Sequence, residues 1–157
     1  MLQIPIATDT RLRTQHLALE DITGEVAQDV LEDRVREGKW TALENAAHLV
    51  AFQPVFKARL LKILNEDEPV FPPYAGDTDP LFLSYCKLPN AELLAIYRKQ
   101  RMDLIDFVDN IDPGDLGRTG KHMKYGLFNI PQWLEMFLLH EAHHLFTILQ
   151  LIHTPGK

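Results

Sequence analysis

A disulfide needs two cysteines, and this chain of 157 residues has one, Cys86. An internal disulfide framework is therefore excluded, and a reducing compartment, the cytosol, is the expected location. Basic residues are also in short supply. Sixteen Lys and Arg stand against 22 Asp and Glu, a net charge of −6. Nucleic acid is not expected as a partner, because phosphate binding needs a basic face. No stretch reaches the ~18 consecutive apolar residues of a membrane span, so no membrane partner is expected. Met1 to Thr10 lacks a basic region followed by an apolar run, which gives no sign of a signal peptide. Internal repeats and low-complexity segments are absent, and strand-like alternation is scarce. The length suits one domain, residues 1–157, with a sizeable core.

What the chain does have is helical periodicity. From about Asp9 to Arg34, the residues Leu12, Leu19, Ile22, Val26 and Val30 follow one stripe at helical spacing. His16, Glu20 and Thr23 fall inside that stripe. His16 is either a hydrogen-bonded core residue or part of a site. Glu37-Gly38-Lys39 breaks the pattern, and Thr41 with Glu44 forms a capping box for a second helix ending near Asn65. His48 lies early on that helix, near the stripe of Phe52 and Val55. Pro54 is expected to kink it or loosen one turn.

Glu66 to Pro89 carries five prolines and reads as a long connection with a helical turn near Leu81 to Cys86. Connections of this length often cover binding sites, and Phe71 and Tyr74 are its candidate roofing side chains. Asn90 is the expected cap of a third helix reaching about Asn110. Arg101 projects into its apolar face. Leu116 to Phe128 reads as loop, with His122 either exposed or functional. Asn129 then caps the last helix, with Pro131 in the first turn and Gln132 three residues on. This helix runs to about Ile152, leaving His153 to Lys157 as tail. Four long amphipathic helices make the chain all-α, a four-helix bundle.

The last helix carries Phe137-Leu138-Leu139-His140-Glu141-Ala142-His143-His144-Leu145. With Trp133 set at zero on a helical wheel, His140 and His144 fall at about 340° and 20°, on the apolar face. His143, at about 280°, falls on the polar flank. Two imidazoles four residues apart and facing inward are a usual start to a metal site. His48 on a facing helix would supply a third. Zinc and related divalent metals take three protein ligands and keep a position open when they are catalytic. Glu141 also falls in the inward arc. It and Arg101 either form a buried pair or sit at groove edges and snorkel to water. Glu141 and Glu20 are the candidates for orienting a ligand or moving a proton.

Gly38-Lys39-Trp40-Thr41, followed by Glu44, His48 and Leu49, resembles the early signature of the DinB-like proteins, and His140-Glu141-Ala142-His143-His144 resembles their His-Glu-x-x-His helix. Order and spacing agree over roughly Arg11 to Leu151. The resemblance implies an up-down-down-up bundle. It also implies a divalent metal on His48, His140 and His144, nickel or zinc first, with iron or manganese as alternatives. Members are often dimers, and some relatives are S-transferases or isomerases that use a low-molecular-weight thiol such as bacillithiol or mycothiol. A small-molecule substrate and a homodimer are thus implied here. Leu139 and Phe146 lie opposite the main apolar arc, so a second copy or the Pro-rich connection must cover them. The leading functional expectation is a metal-dependent enzyme, a thiol S-transferase. The alternatives are a hydrolase using metal-activated water and a non-catalytic stress protein that binds metal or a small ligand.

Overall fold

The computed structural model describes residues 2–154, so the last three residues of the expected tail lie outside the described residues. The first bundle element is not one helix but three: α1 (Ile6–Thr14), α2 (Leu17–Thr23) and α3 (Gln28–Glu32). Between α1 and α2 the backbone tightens. Ala18 N donates to Gln15 O and Leu19 N to His16 O, one residue short of the α-helical span. The Gln15 side chain is held across the bundle by Leu138 O at 2.8 Å and Glu141 Oε1 at 2.9 Å. A second break follows Thr23. Leu12 and Leu19 are buried as expected, but the register resets after the break, so Leu31 faces the core and Val30 is exposed.

α4 (Ala42–Asn65) begins on the expected capping box, with Glu44 N donating to Thr41 Oγ1 at 3.1 Å and Thr41 N to Glu44 Oε2 at 2.7 Å. It runs unbroken through Pro54, which leaves one intrahelical hydrogen bond unmade because proline has no N–H. The connection to α6 (Asn90–Asp109) contains strand β1 (Val70–Phe71), a 3-10 turn (Gly76–Thr78) and α5 (Pro80–Tyr85). Asn90 is not a cap. Pro89 occupies that position, and the Asn90 amide instead donates to Thr23 O and Oγ1, tying α6 to the end of α2.

The stretch read as loop after α6 is largely ordered. It holds a 3-10 turn (Pro113–Gly117), β2 (Thr119–His122) and β3 (Gly126–Asn129). β1 pairs parallel to β2, and β2 antiparallel to β3. The sheet lies against the lower end of α4 and α7. A Cβ on Gly120 would come within 2.7 Å of Ile63 Cγ1, so only glycine permits this approach. α7 (Ile130–His153) opens on the Asn129–Gln132 capping box.

Side-chain contacts set the helix directions. Thr8 and Gln15 meet Glu135 and Leu138, so α1 runs parallel to α7. His48 meets His144 while Phe56 stacks on Phe137, so α4 is antiparallel to α7. Gln53 and Lys57 reach Tyr97 O and Asp103 O, so α6 runs with α4. The result is a four-helix bundle with up-down-down-up topology. No helix among the described residues is long and apolar enough to cross a membrane.

Apolar packing forms two clusters, one around Leu19, Val50, Leu93 and Ile148, the other around Leu12, Phe56, Leu104 and Trp133. Between them Arg101 and Glu141 form an ion pair, 0% and 1% exposed. The buried alternative therefore holds for these two residues. Leu139 and Phe146 are 58% and 60% exposed, so the Pro-rich connection does not cover them.

Candidate metal centre

His48 sits in the second turn of α4, and His140 and His144 occupy successive turns of α7. Because these helices are antiparallel neighbours, the three side chains meet. His48 Nε2 and His140 Nε2 are 3.1 Å apart, and one ligand atom from each of the three residues lies within 4.8 Å of the others. This arrangement could hold a metal ion. Two nitrogens bound to one tetrahedral zinc at about 2.0–2.1 Å stand about 3.3 Å apart, so the His48–His140 spacing fits.

The tautomer of His144 follows from its neighbours. Asn45 Nδ2 donates to Thr41 O at 2.8 Å, which turns Asn45 Oδ1 toward His144 Nδ1 at 2.8 Å. Nδ1 of His144 must then carry the proton and Nε2 the lone pair, the tautomer a ligating histidine needs. The helix cap of α4 thus also orients a histidine of α7.

Aromatic rings wall in the triad. Trp40 packs on His48 with centroids 4.9 Å apart and donates from Nε1 to Asp77 Oδ1 at 2.9 Å. Tyr74 stacks on His48 at 5.4 Å, and Phe52 meets His140 edge-on at 4.7 Å. The Pro-rich connection therefore roofs the site through Tyr74 and Gly76, where a Cβ would stand 2.9 Å from His48 Nδ1. Phe71 does not join the roof. It packs edge-on to Trp133 in the lower core.

Burial keeps these imidazoles neutral. His48, His140 and His144 are each pushed down to about 3, first by burial and then by mutual repulsion with neighbouring histidines, joined at His140 by Arg59. Neutral imidazole is the ligating form. His16 is pushed down to about 4 by burial, with smaller contributions from Arg101 and Arg98. It lies apart, edge-on to Tyr97 at 6.5 Å, and is a core residue.

These depressed values couple stability to pH. The unfolded chain takes up protons on such histidines near pH 6.5, whereas the fold resists until about 4 at His16 and about 3 at the triad. Stability is therefore complete above pH 6.5 and falls as pH drops toward 4. Each group costs about 1.4 kcal/mol per pH unit within that window. Above pH 5, where most carboxylates remain ionised, the stability of metal-free His16→Gln should fall with a slope shallower by close to one proton. Urea titrations at several pH values measure this, and an unchanged slope would contradict a depressed His16.

The remaining sequence candidates lie elsewhere. His143 is exposed and next to the triad, not in it. Glu141 points away from His140 into the bundle, where it accepts from Gln15, Tyr97 and Arg101. Glu20 pairs with exposed Arg98 on the far surface. Neither glutamate is brought to the histidines. The Cys86 thiol is half-buried and pushed up to about 11 by burial, then by Glu44, which keeps it protonated.

A cavity of about 440 Å³ opens beside His140, bounded by Phe52, Tyr74, Phe137 and His143. It also takes in two residues that sequence reasoning had not placed in a site. His122, 4% exposed, reaches it from β2, and Arg59 from α4. Arg59 was detectable. It stands eleven residues after His48, about 20° away on the helical wheel. For His122 the sequence leaves exposed and functional both open, since its placement depends on strand pairing.

Fold and site together define a four-helix bundle with a three-histidine, metal-competent cluster between its longest helices. The DinB superfamily model matches residues 8–148, and the chain belongs to that superfamily. Among solved structures it is similar to YfiT from Bacillus subtilis, a probable metal-dependent hydrolase with an unusual four-helix bundle topology. That match has 17% identity and a TM-score of 0.76, covering 92% of this chain and 83% of YfiT. It is also similar to TT2238, a four-helix bundle protein, with 26% identity and a TM-score of 0.66, covering 90% and 94% of the two chains. No curated protein matches the chain in sequence.

Proposed function

We propose that His48, His140 and His144 bind one divalent metal, nickel or zinc, and that the protein is a metal-dependent enzyme acting on a small molecule with a low-molecular-weight thiol as nucleophile. The observation that carries this is the convergence of three neutral imidazoles, one buried and two half-buried, beside an open cavity. A metal on three neutral ligands supplies an uncompensated Lewis acid, which lowers the pKa of an incoming thiol or water. The chain's own residues hold the site in place. Asn45 fixes the tautomer of His144, and Trp40 and Tyr74 clamp the ring of His48. Phe52 and Phe137 give the cavity a dry wall.

Among the described residues, no cysteine, serine or threonine lines the cavity. Cys86 is held as a thiol and does not line the cavity. An external thiol would form a carbon–sulfur bond as the bond to the electrophile's leaving group breaks, with the thiol proton released to solvent. Water is the second reading, favoured by the fold shared with YfiT.

The test loads the protein with zinc or nickel and adds cysteine-based thiols with a chromogenic electrophile. Turnover well above that of His140→Ala is expected. Hydrolysis of an ester or amide without thiol turnover would make water the nucleophile. No turnover of either kind would leave a binding protein.

A further inference from the structure

The cavity beside the triad is chemically two-sided. Its cations and N–H donors lie together: Arg59 from α4, with His122 and Lys124 from the end of β2 and the turn that follows. The rest is mainly apolar, with Phe52, Tyr74, Phe137 and Leu139 among the lining residues. The chain carries a net charge of −6, yet no described carboxylate lines this cavity.

Arg59 is the unusual member. It is 8% exposed, and among the described residues it has no acidic partner. Nη2 donates to Pro72 O at 2.7 Å, while Nε and Nη1 make no hydrogen bond within the described protein. The guanidinium lies over the rings of Phe52 and Phe71, at 5.9 and 5.5 Å from their centroids. A buried charge normally has a partner, because desolvating it alone is costly. No described residue supplies that partner here.

His122 adds a donor. Its Nδ1 accepts from Lys124 N at 3.1 Å and Tyr125 N at 3.2 Å, so Nε2 carries the proton, and it has no partner among the described residues. Two donors on rigid elements and one exposed lysine face a volume within the ~300–1,000 Å³ range of small-molecule sites.

We propose that this cavity is the substrate-recognition half of the site and takes a small amphipathic carboxylate. The carboxylate sits on Arg59, His122 Nε2–H and Lys124, and an apolar or aromatic body lies against Phe52, Tyr74 and Phe137. Its reacting end is directed toward His140, the one point that rests on the metal-enzyme reading. A carboxylate fits better than a phosphate. Nη2 keeps a second N–H beside that of Nε or Nη1, so Arg59 offers one planar two-donor edge, and because exposed Lys124 is screened by water this single buried cation matches one negative charge better than two.

The test is calorimetric titration of the full chain, zinc-loaded and metal-free, with 3-phenylpropionate, 3-phenylpropionamide and phenyl phosphate. The acid should bind at least tenfold tighter than the amide. Arg59→Gln should weaken the acid at least tenfold and leave the amide unchanged. His144→Ala, which removes a metal ligand without touching the cavity lining, should retain acid binding within a few-fold. Acid binding that vanishes in His144→Ala but survives Arg59→Gln would place the anion on the metal and overturn the proposal. Equal affinity for acid and amide would also overturn it, and so would tighter, Arg59-dependent binding of phenyl phosphate. Arg59-dependent acid binding in a protein that takes up no metal would support the carboxylate site while refuting the metal-enzyme reading. If Arg59→Gln does not melt cooperatively, exposed Lys124→Ala decides. A several-fold loss of acid affinity at low salt supports the proposal, and no change overturns it.

Discussion

Single replacement of His48, His140 or His144 by alanine should abolish stoichiometric metal binding, whereas His143→Ala should leave it intact. The magnitude follows from ligand number. Structural zinc sites with four ligands are worth about 10–16 kcal/mol, or roughly 2.5–4 kcal/mol per ligand, so each loss should weaken affinity on the order of 10²–10³-fold. His143 is exposed and outside the cluster, although it sits beside His144 in sequence and its ring is 5.2 Å away. Two supporting residues should show smaller effects of the same sign. Asn45→Ala frees His144 to adopt the wrong tautomer, a change that typically costs about 10–100-fold in affinity. Gly76→Ala would press a methyl carbon onto His48 Nδ1 and Trp40, displacing a ligand. Metal stoichiometry of protein purified without a nickel column, with melting temperature before and after metal addition, measures all six variants. Metal loss in His143→Ala with retention in His144→Ala would show that the wrong helix face had been identified.

The second large effect concerns stability rather than binding. Glu141→Ala or Arg101→Met should destabilise the fold by about 3–5 kcal/mol, because each leaves a buried charge without its partner. For a chain of this size that lowers the melting temperature by about 10 °C or more. The pair is embedded in a satisfied network. Arg101 Nε donates to Gln53 Oε1 at 2.8 Å and Nη1 to Leu12 O at 3.1 Å, while Glu141 accepts from Gln15 and Tyr97. The double variant Arg101→Met with Glu141→Leu should recover most of the loss, since apolar replacement of a buried pair is often neutral. If the double variant were as unstable as the sum of the singles, the two charges would not be coupled. A catalytic Glu141 would instead lower turnover without lowering the melting temperature.

Much of the site was legible because a helix converts spacing into direction. His140 and His144 are four residues apart, so the chain alone placed them on one inward face and put His143 outside it. The same rule located Arg101 and Glu141 on apolar faces. Capping chemistry is equally local, and the Thr41–Glu44 and Asn129–Gln132 boxes formed where their spacing predicted. What failed was whatever depends on a partner distant in sequence. β2 and β3 are four residues each with no clear alternation, and β2 pairs with distant β1 where Gly120 comes close to Ile63. His122 could enter the cavity only through that pairing. Asn90 looked like a cap because caps are recognised locally, yet a tertiary contact with Thr23 claimed its side chain. The sequence by itself therefore determined the three long helices α4, α6 and α7, their inward faces and the two histidines of α7. Only the tertiary structure decided that α4 runs antiparallel to α7, which brings His48 to them. It alone left Arg59 buried without a countercharge among the described residues, because both outcomes depend on distances between helices and loops that no local rule fixes.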